Sequence, residues 1–114
     1  MTDDGMIKSL NDLSIRLEQC GMGLYEVIGL DGEVLYVGVG NLRFNLHQHL
    51  PNGWFPINEG RYYRRKEIPP GEPLDQCLES LLSEYERENG SAPKYNRNFI
   101  RSSALESDDL VGLI

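Results

Sequence analysis

Within residues 6–20, Met6, Leu10, Leu13, Leu17 and Cys20 stand alternately four and three positions apart. These spacings of three and four predict a helix over about 6–20, with Gly21 as its stop. The period then changes. Residues 23–30 and 33–38 are rich in β-formers and flank Asp31-Gly32. Asp-Gly between such runs predicts a hairpin over about 23–38, closed by a two-residue type I′ turn that needs positive φ at both centres. With Leu30 opposite Glu33, Val27 faces Tyr36 and Tyr25 faces Gly38. Tyr25 and Tyr36 then project from one face of the hairpin as diagonal neighbours, with hydroxyls able to converge on one ligand.

Asn41 is placed to cap a helix over about 41–50, with Leu42, Leu46, His49 and Leu50 on its inner side and Pro51-Asn52-Gly53 breaking it. A short loop carries Trp54. Residues 61–68, between Glu59-Gly60 and Pro69-Pro70-Gly71, read as a third strand. From 73 to 89, Leu74, Cys77, Leu78, Leu81, Leu82 and Tyr85 define one side of a long amphipathic helix ended by Gly90. The tail, 98–114, mixes Ser, Asp and Glu with an apolar end, Leu110-Val111-Gly112-Leu113-Ile114, and reads as loose or as a docking segment. The expected fold is α/β (α+β): a small antiparallel three-stranded sheet flanked by helices. An N-terminal helical extension (1–22), the domain proper (23–97) and the tail (98–114) divide the chain.

Composition narrows this picture. A chain of 114 residues with 39% hydrophobic positions can bury one modest core. No stretch approaches the roughly 18 consecutive apolar residues of a membrane span, and the acidic start is unlike a secretory signal, so a cytoplasmic protein away from membranes is expected. Cys20 and Cys77 match neither a zinc spacing nor a dense disulfide framework. The net charge of −7 argues against a protein that coats nucleic acid non-specifically, because that affinity comes from Lys and Arg displacing counterions at phosphates. Any such contact has to be local. Arg43, Arg61, Arg64, Arg65 and Lys66 lie in a stretch whose only acid is Glu59, which makes it the candidate basic face; a solvated strand edge is the equal alternative.

Gly23-Leu24-Tyr25 and Tyr36-Val37-Gly38, with eleven residues from tyrosine to tyrosine, resemble the paired motifs that name the GIY-YIG nuclease superfamily. Asn41 to His49 resembles that family's first helix. Glu79 with Leu82, followed by Pro93-Lys94-Tyr95-Asn96, resembles its closing segment. The likeness spans residues 23–96. It implies metal-dependent hydrolysis of a phosphodiester bond in DNA, with one Mg2+ or Mn2+ held by a single glutamate and waters, a coordination that suits an ion which keeps most of its hydration. Tyr25 and Tyr36 match the tyrosines that position and help deprotonate the attacking water, and Asn96 matches the family asparagine.

Among the acids of the long helix, Glu79 matches the metal ligand best, because Leu82 supplies the apolar residue three positions on. Glu84 is the runner-up, nearer the usual distance from Pro-x-Tyr-Asn. The departure is the arginine. Its position falls on Asn45, four residues before His49, a histidine frequent in the family. Arg43 is the nearest substitute, but two residues turn a helical side chain by about 200°. Asn45 offers a hydrogen bond without charge, and losing a charge-assisted contact typically costs a few kcal/mol in the transition state. The resemblance therefore implies a nuclease impaired by that loss. The alternatives are an inactive relative that binds nucleic acid through the same cleft, or an adaptor for a protein partner, to which the acidic balance is suited.

Overall fold

The computed structural model describes residues 5–19 and 21–97. In chain order its elements are β1 (Ile7–Ser9), α1 (Asp12–Arg16), β2 (Met22–Gly29), β3 (Val34–Asn41), α2 (Leu42–Gln48), β4 (Gly60–Lys66) and α3 (Leu74–Asn89). The strands form one antiparallel sheet in the order β1-β4-β2-β3. β2 is buried at every position after Met22, because β3 and β4 pair along its two edges and side chains cover both faces.

The hairpin has the expected register, with Val27 opposite Tyr36 and Tyr25 opposite Gly38. Its turn differs. Gly32 N–H bonds to Gly29 O at 3.0 Å, and Gly29 N–H bonds to Glu33 O at 2.8 Å. Gly32 alone carries the left-handed conformation, at φ +87°, and no described residue other than glycine has positive φ. The connection is therefore centred on Leu30-Asp31 and completed by Gly32, which spares Asp31 the strain that a type I′ turn imposes. The pairing then slips by one residue: Ile28 faces Val34, and Leu35 has no partner in the register. At this bulge Leu35 and Tyr36 both turn towards one core.

That core packs Tyr25, Val27, Leu35 and Tyr63 of the sheet against Ile15, Leu42, Leu46 and Ile57. α2 begins at the Asn41 cap, whose side chain accepts from Phe44 N–H at 2.9 Å, and buries Leu42 and Leu46 as the spacing predicts. α3 lies over the opposite face, where Leu24 and Lys66 share a cavity with Cys77, Ser80, Leu81 and Glu84. Its expected apolar side is only half covered, and no residue of the helix is fully buried. Gly90, at φ +86°, ends it.

The N-terminal segment corrects the helix expected over 6–20. Ile7–Ser9 adds a fourth strand on β4, bracketed by Gly5 N–H to Arg65 O and Leu10 N–H to Arg61 O, each 2.9 Å. The exposed edge of β4 supplies partners that helix spacing cannot reveal. The Asn11 side chain accepts from Ser14 N–H, so the helix starts at Asp12 and closes at Leu17. It buries Ile15 and leaves Leu13 and Leu17 outside, at 69% and 78% exposure. Cys20 and the tail 98–114 lie outside the described residues.

Two side chains tie distant segments to the sheet. Glu18, 5% exposed, accepts from Lys8 Nζ at 2.6 Å and Tyr63 Oη at 2.5 Å, with an Arg65 nitrogen at 4.0 Å, so its buried charge is compensated. Asn96, 4% exposed, accepts from Val37 N–H at 2.7 Å and donates to Val37 O at 2.9 Å, standing in for a neighbouring strand on the free edge of β3. Asn96→Ala leaves both backbone groups of Val37 without partners, and the expected loss of about 2–4 kcal/mol is measurable by urea unfolding. A loss within 0.5 kcal/mol contradicts this role.

Candidate functional site

The bulged hairpin brings Tyr25 and Tyr36 together with ring centroids 6.2 Å apart and planes inclined at 52°. The Tyr25 ring lies over Gly38 of the facing strand. A Cβ at Gly38 would overlap the Tyr25 hydroxyl and the edge of the Tyr36 ring, so glycine there is a requirement of space.

The end of α2 supplies His49, 3% exposed. Its Nδ1 is 2.9 Å from Phe55 O, a carbonyl that can only accept, so Nδ1 carries the proton and Nε2 is the acceptor. Tyr25 Oη, 2.7 Å from Nε2, is therefore the donor. The following loop holds this relay in place, with Phe55 N–H bonded to Gln48 O at 2.9 Å and Ile57 N–H to His49 O at 3.0 Å. Tyr36, His49 and Phe55 pack edge to face with centroids 5.0, 5.1 and 5.3 Å apart.

All three titratable groups are neutral near pH 7. Burial pushes the Tyr25 hydroxyl far above its ordinary value, Tyr36 adds to that, and the Asn45 amide pulls weakly the other way. Burial also raises Tyr36. Desolvation holds the His49 imidazole below its ordinary value, against the opposing pull of the Phe55 carbonyl. Tyr25, Tyr36, Asn45, Gln48, His49, Trp54 and Phe55 line a cavity of about 240 Å³. Among the described residues its walls carry hydroxyls, amides and an imidazole, but no carboxylate, lysine or arginine. The Tyr36 hydroxyl bonds to no described residue and is open to this space.

Other expected site residues lie elsewhere. Glu79 and Glu84 are exposed on α3, beside Ser80, Ser83 and Arg87, across the sheet from the tyrosines. The expected meeting of two phenols and a carboxylate in one cleft is absent, because α2 and α3 cover opposite faces. The cavity also does not fit a magnesium-like ion, which takes at least one carboxylate besides water and phosphate. Among the described residues no group of three or more His, Cys, Asp or Glu could hold a metal.

Asn45 does line the cavity, donating to Val39 O at 3.2 Å, whereas Arg43 does not. Asn96 acts at the sheet edge instead. The basic stretch is divided by the strand's pleat: Arg64 reaches buried Glu26 at 2.5 and 2.8 Å on the α3 face, which Lys66 shares, while Arg65 turns towards Glu18 on the other. Arg61 folds back onto Asn58 O and Gly60 O. No single basic face forms from them. Gln48, Trp54 and Phe55 are lining residues that sequence reasoning missed; the nearest signal was a tryptophan in a short loop after a helix-breaking Pro-Asn-Gly.

Comparison with family models, with curated proteins and with solved structures gives no match.

The His49 shift fixes a pH dependence. An imidazole whose folded pKa lies below the ordinary 6.5 gives stability that is complete above 6.5 and falls as the pH drops through the lowered value, since the unfolded chain binds the proton more readily. His49→Gln is expected to unfold more easily at pH 7 by about 1–3 kcal/mol, through loss of the Tyr25 and Phe55 bonds. Its stability should also fall less steeply than that of the unaltered protein between pH 6.5 and 5. Parallel slopes in urea titrations over that window contradict the assignment.

Proposed function

We propose that this protein is a GIY-YIG-type domain that binds nucleic acid at the Tyr25–Tyr36 cavity and in which metal-dependent hydrolysis of DNA is impaired. The observation that carries the reading is the relay from Tyr25 through His49 to the Phe55 carbonyl, which leaves the Tyr36 hydroxyl open beside it. The motif order from Gly23 to Asn96 supports the family, and the hairpin register supports a joint role for the tyrosines.

Impairment follows from what lines the cavity. With Asn45 at the arginine position, no guanidinium among the described lining residues stands ready to meet charge developing on phosphate. With Glu79 and Glu84 on α3, no carboxylate among the described residues is placed to anchor Mg2+ or Mn2+ beside the tyrosines. Neutral donors remain. The Tyr36 hydroxyl and the amides of Asn45 and Gln48 suit phosphate or base oxygens as hydrogen-bond partners, and the water-poor wall strengthens each bond.

Fluorescence anisotropy with labelled single-stranded, duplex and branched DNA tests binding, and gels run with Mg2+ or Mn2+ test cleavage. Binding without cutting above the level of a Glu79→Ala, Glu84→Ala double variant is expected. Tyr36→Phe should weaken binding roughly fivefold, the value of about one hydrogen bond. Full-rate cleavage that disappears in the double variant overturns the impaired reading, and no binding to any form overturns the site.

A protein partner is the second reading, favoured by the outward Leu13 and Leu17, which lie four residues apart on one side of α1 and its cap. It predicts a pull-down that survives nuclease treatment and is lost in Leu13→Ser, Leu17→Ser.

A further inference from the structure

Trp54 is 89% exposed, although tryptophan has the most to gain from burial. Its backbone is nonetheless fixed. Trp54 N–H bonds to Gln48 Oε1 at 3.0 Å, the preceding turn closes with Gly53 N–H to Leu50 O at 2.9 Å, and Phe55 N–H binds Gln48 O. A large ring held in water by an ordered loop is a preorganised surface.

Trp54 and Gln48 also form the boundary between two hollows. On one side is the tyrosine cavity. On the other is a larger one of about 590 Å³, walled by Phe44, His47, Leu50, Pro51 and Asn52. The one carboxylate among its described lining residues, Asp12, is held by Arg16 Nε at 3.0 Å and faces His47 at the same distance, which lessens repulsion of a phosphate chain.

We infer that Trp54 is a stacking platform for one unpaired nucleobase, with the adjoining nucleotide of the same strand at the tyrosine cavity, so that the protein prefers single-stranded to duplex nucleic acid. This rests on the tyrosine cavity being the nucleic-acid site. Three observations carry it: the exposed indole, the loop that fixes it, and the adjacency of the two hollows across Gln48 and Trp54. Every base has a π-face, and stacking needs no basic groove, which reconciles binding with a net charge of −7. Bases in a duplex are already stacked on their neighbours and are not available to the ring. The amides of Gln48 and Asn52 line the same hollow as the ring, where they can meet the polar edge of a base.

Trp54 is the single tryptophan of the chain, so its emission reports the contact directly. The full-length protein is titrated with dT12, with an abasic twelve-mer, with duplex DNA and with a proline-rich peptide, while anisotropy of labelled dT12 measures binding independently. Expected are quenching of Trp54 emission by dT12, little by the abasic or duplex forms, and a loss of dT12 affinity of about tenfold in Trp54→Ala that Trp54→Phe largely restores. A shallow dependence of affinity on salt is also expected, because few counterions are released. Binding of dT12 by anisotropy with unchanged emission and unchanged affinity in Trp54→Ala overturns the stacking inference and leaves the tyrosine cavity standing. Equal affinity for the abasic strand likewise overturns it. Quenching by the peptide and not by dT12 overturns it and assigns the surface to a protein partner. Absence of dT12 binding overturns this inference; absence of binding to duplex and branched DNA as well removes the nucleic-acid reading with it.

Discussion

Strand β2 has neighbours on both edges and covering on both faces, and that double burial constrains everything around it. A slip of one residue would exchange Tyr25 and Val27 with Leu24, Glu26 and Ile28, placing a charged side chain among aromatic rings and freeing Arg64 from its partner. The register is therefore closely specified. It also makes Gly38 necessary, because the Tyr25 ring occupies the space a larger side chain would need.

The same alternation governs charge. In β4 adjacent basic residues point to opposite faces, so four positive charges in six positions do not sum to one patch. Three of the four are balanced locally or folded back: Arg64 by Glu26, Arg65 towards Glu18, Arg61 on backbone carbonyls. What the described residues leave around the two tyrosines is polar, aromatic and uncharged. Such a surface recognises a ligand by shape, ring contact and hydrogen bonding more than by attraction at a distance.

Local patterns carried much of this architecture. The Asn41 cap, the alternation through the hairpin and the spacing along α3 each depend on neighbours within one element, and each appears as expected. The shared face of Tyr25 and Tyr36 belongs to that group. What local patterns could not carry was pairing between elements. Ile7–Ser9 is a strand because β4 offers it an edge, and Ile15 is the buried residue of α1 because a cap at Asn11 resets the helix phase. The turn was misread for a related reason: Asp31-Gly32 suits two geometries, and a bulge at Leu35 accommodates the one with a single left-handed residue. The position of Glu79 depended on which face α3 covers, a choice its amphipathic pattern leaves open, while Asn45 fell beside Tyr25 because helix phase within α2 is local.

The amide of Asn96 fills one place on the outer margin of β3, 59 residues along the chain from Val37 and yet as close as a paired strand. A shortened version of the protein for spectroscopy or crystallisation must consequently extend through that asparagine. Trimming a few positions further back would open the margin of β3 to its own kind, and the fragment would invite sheet-to-sheet association in place of a monodisperse sample.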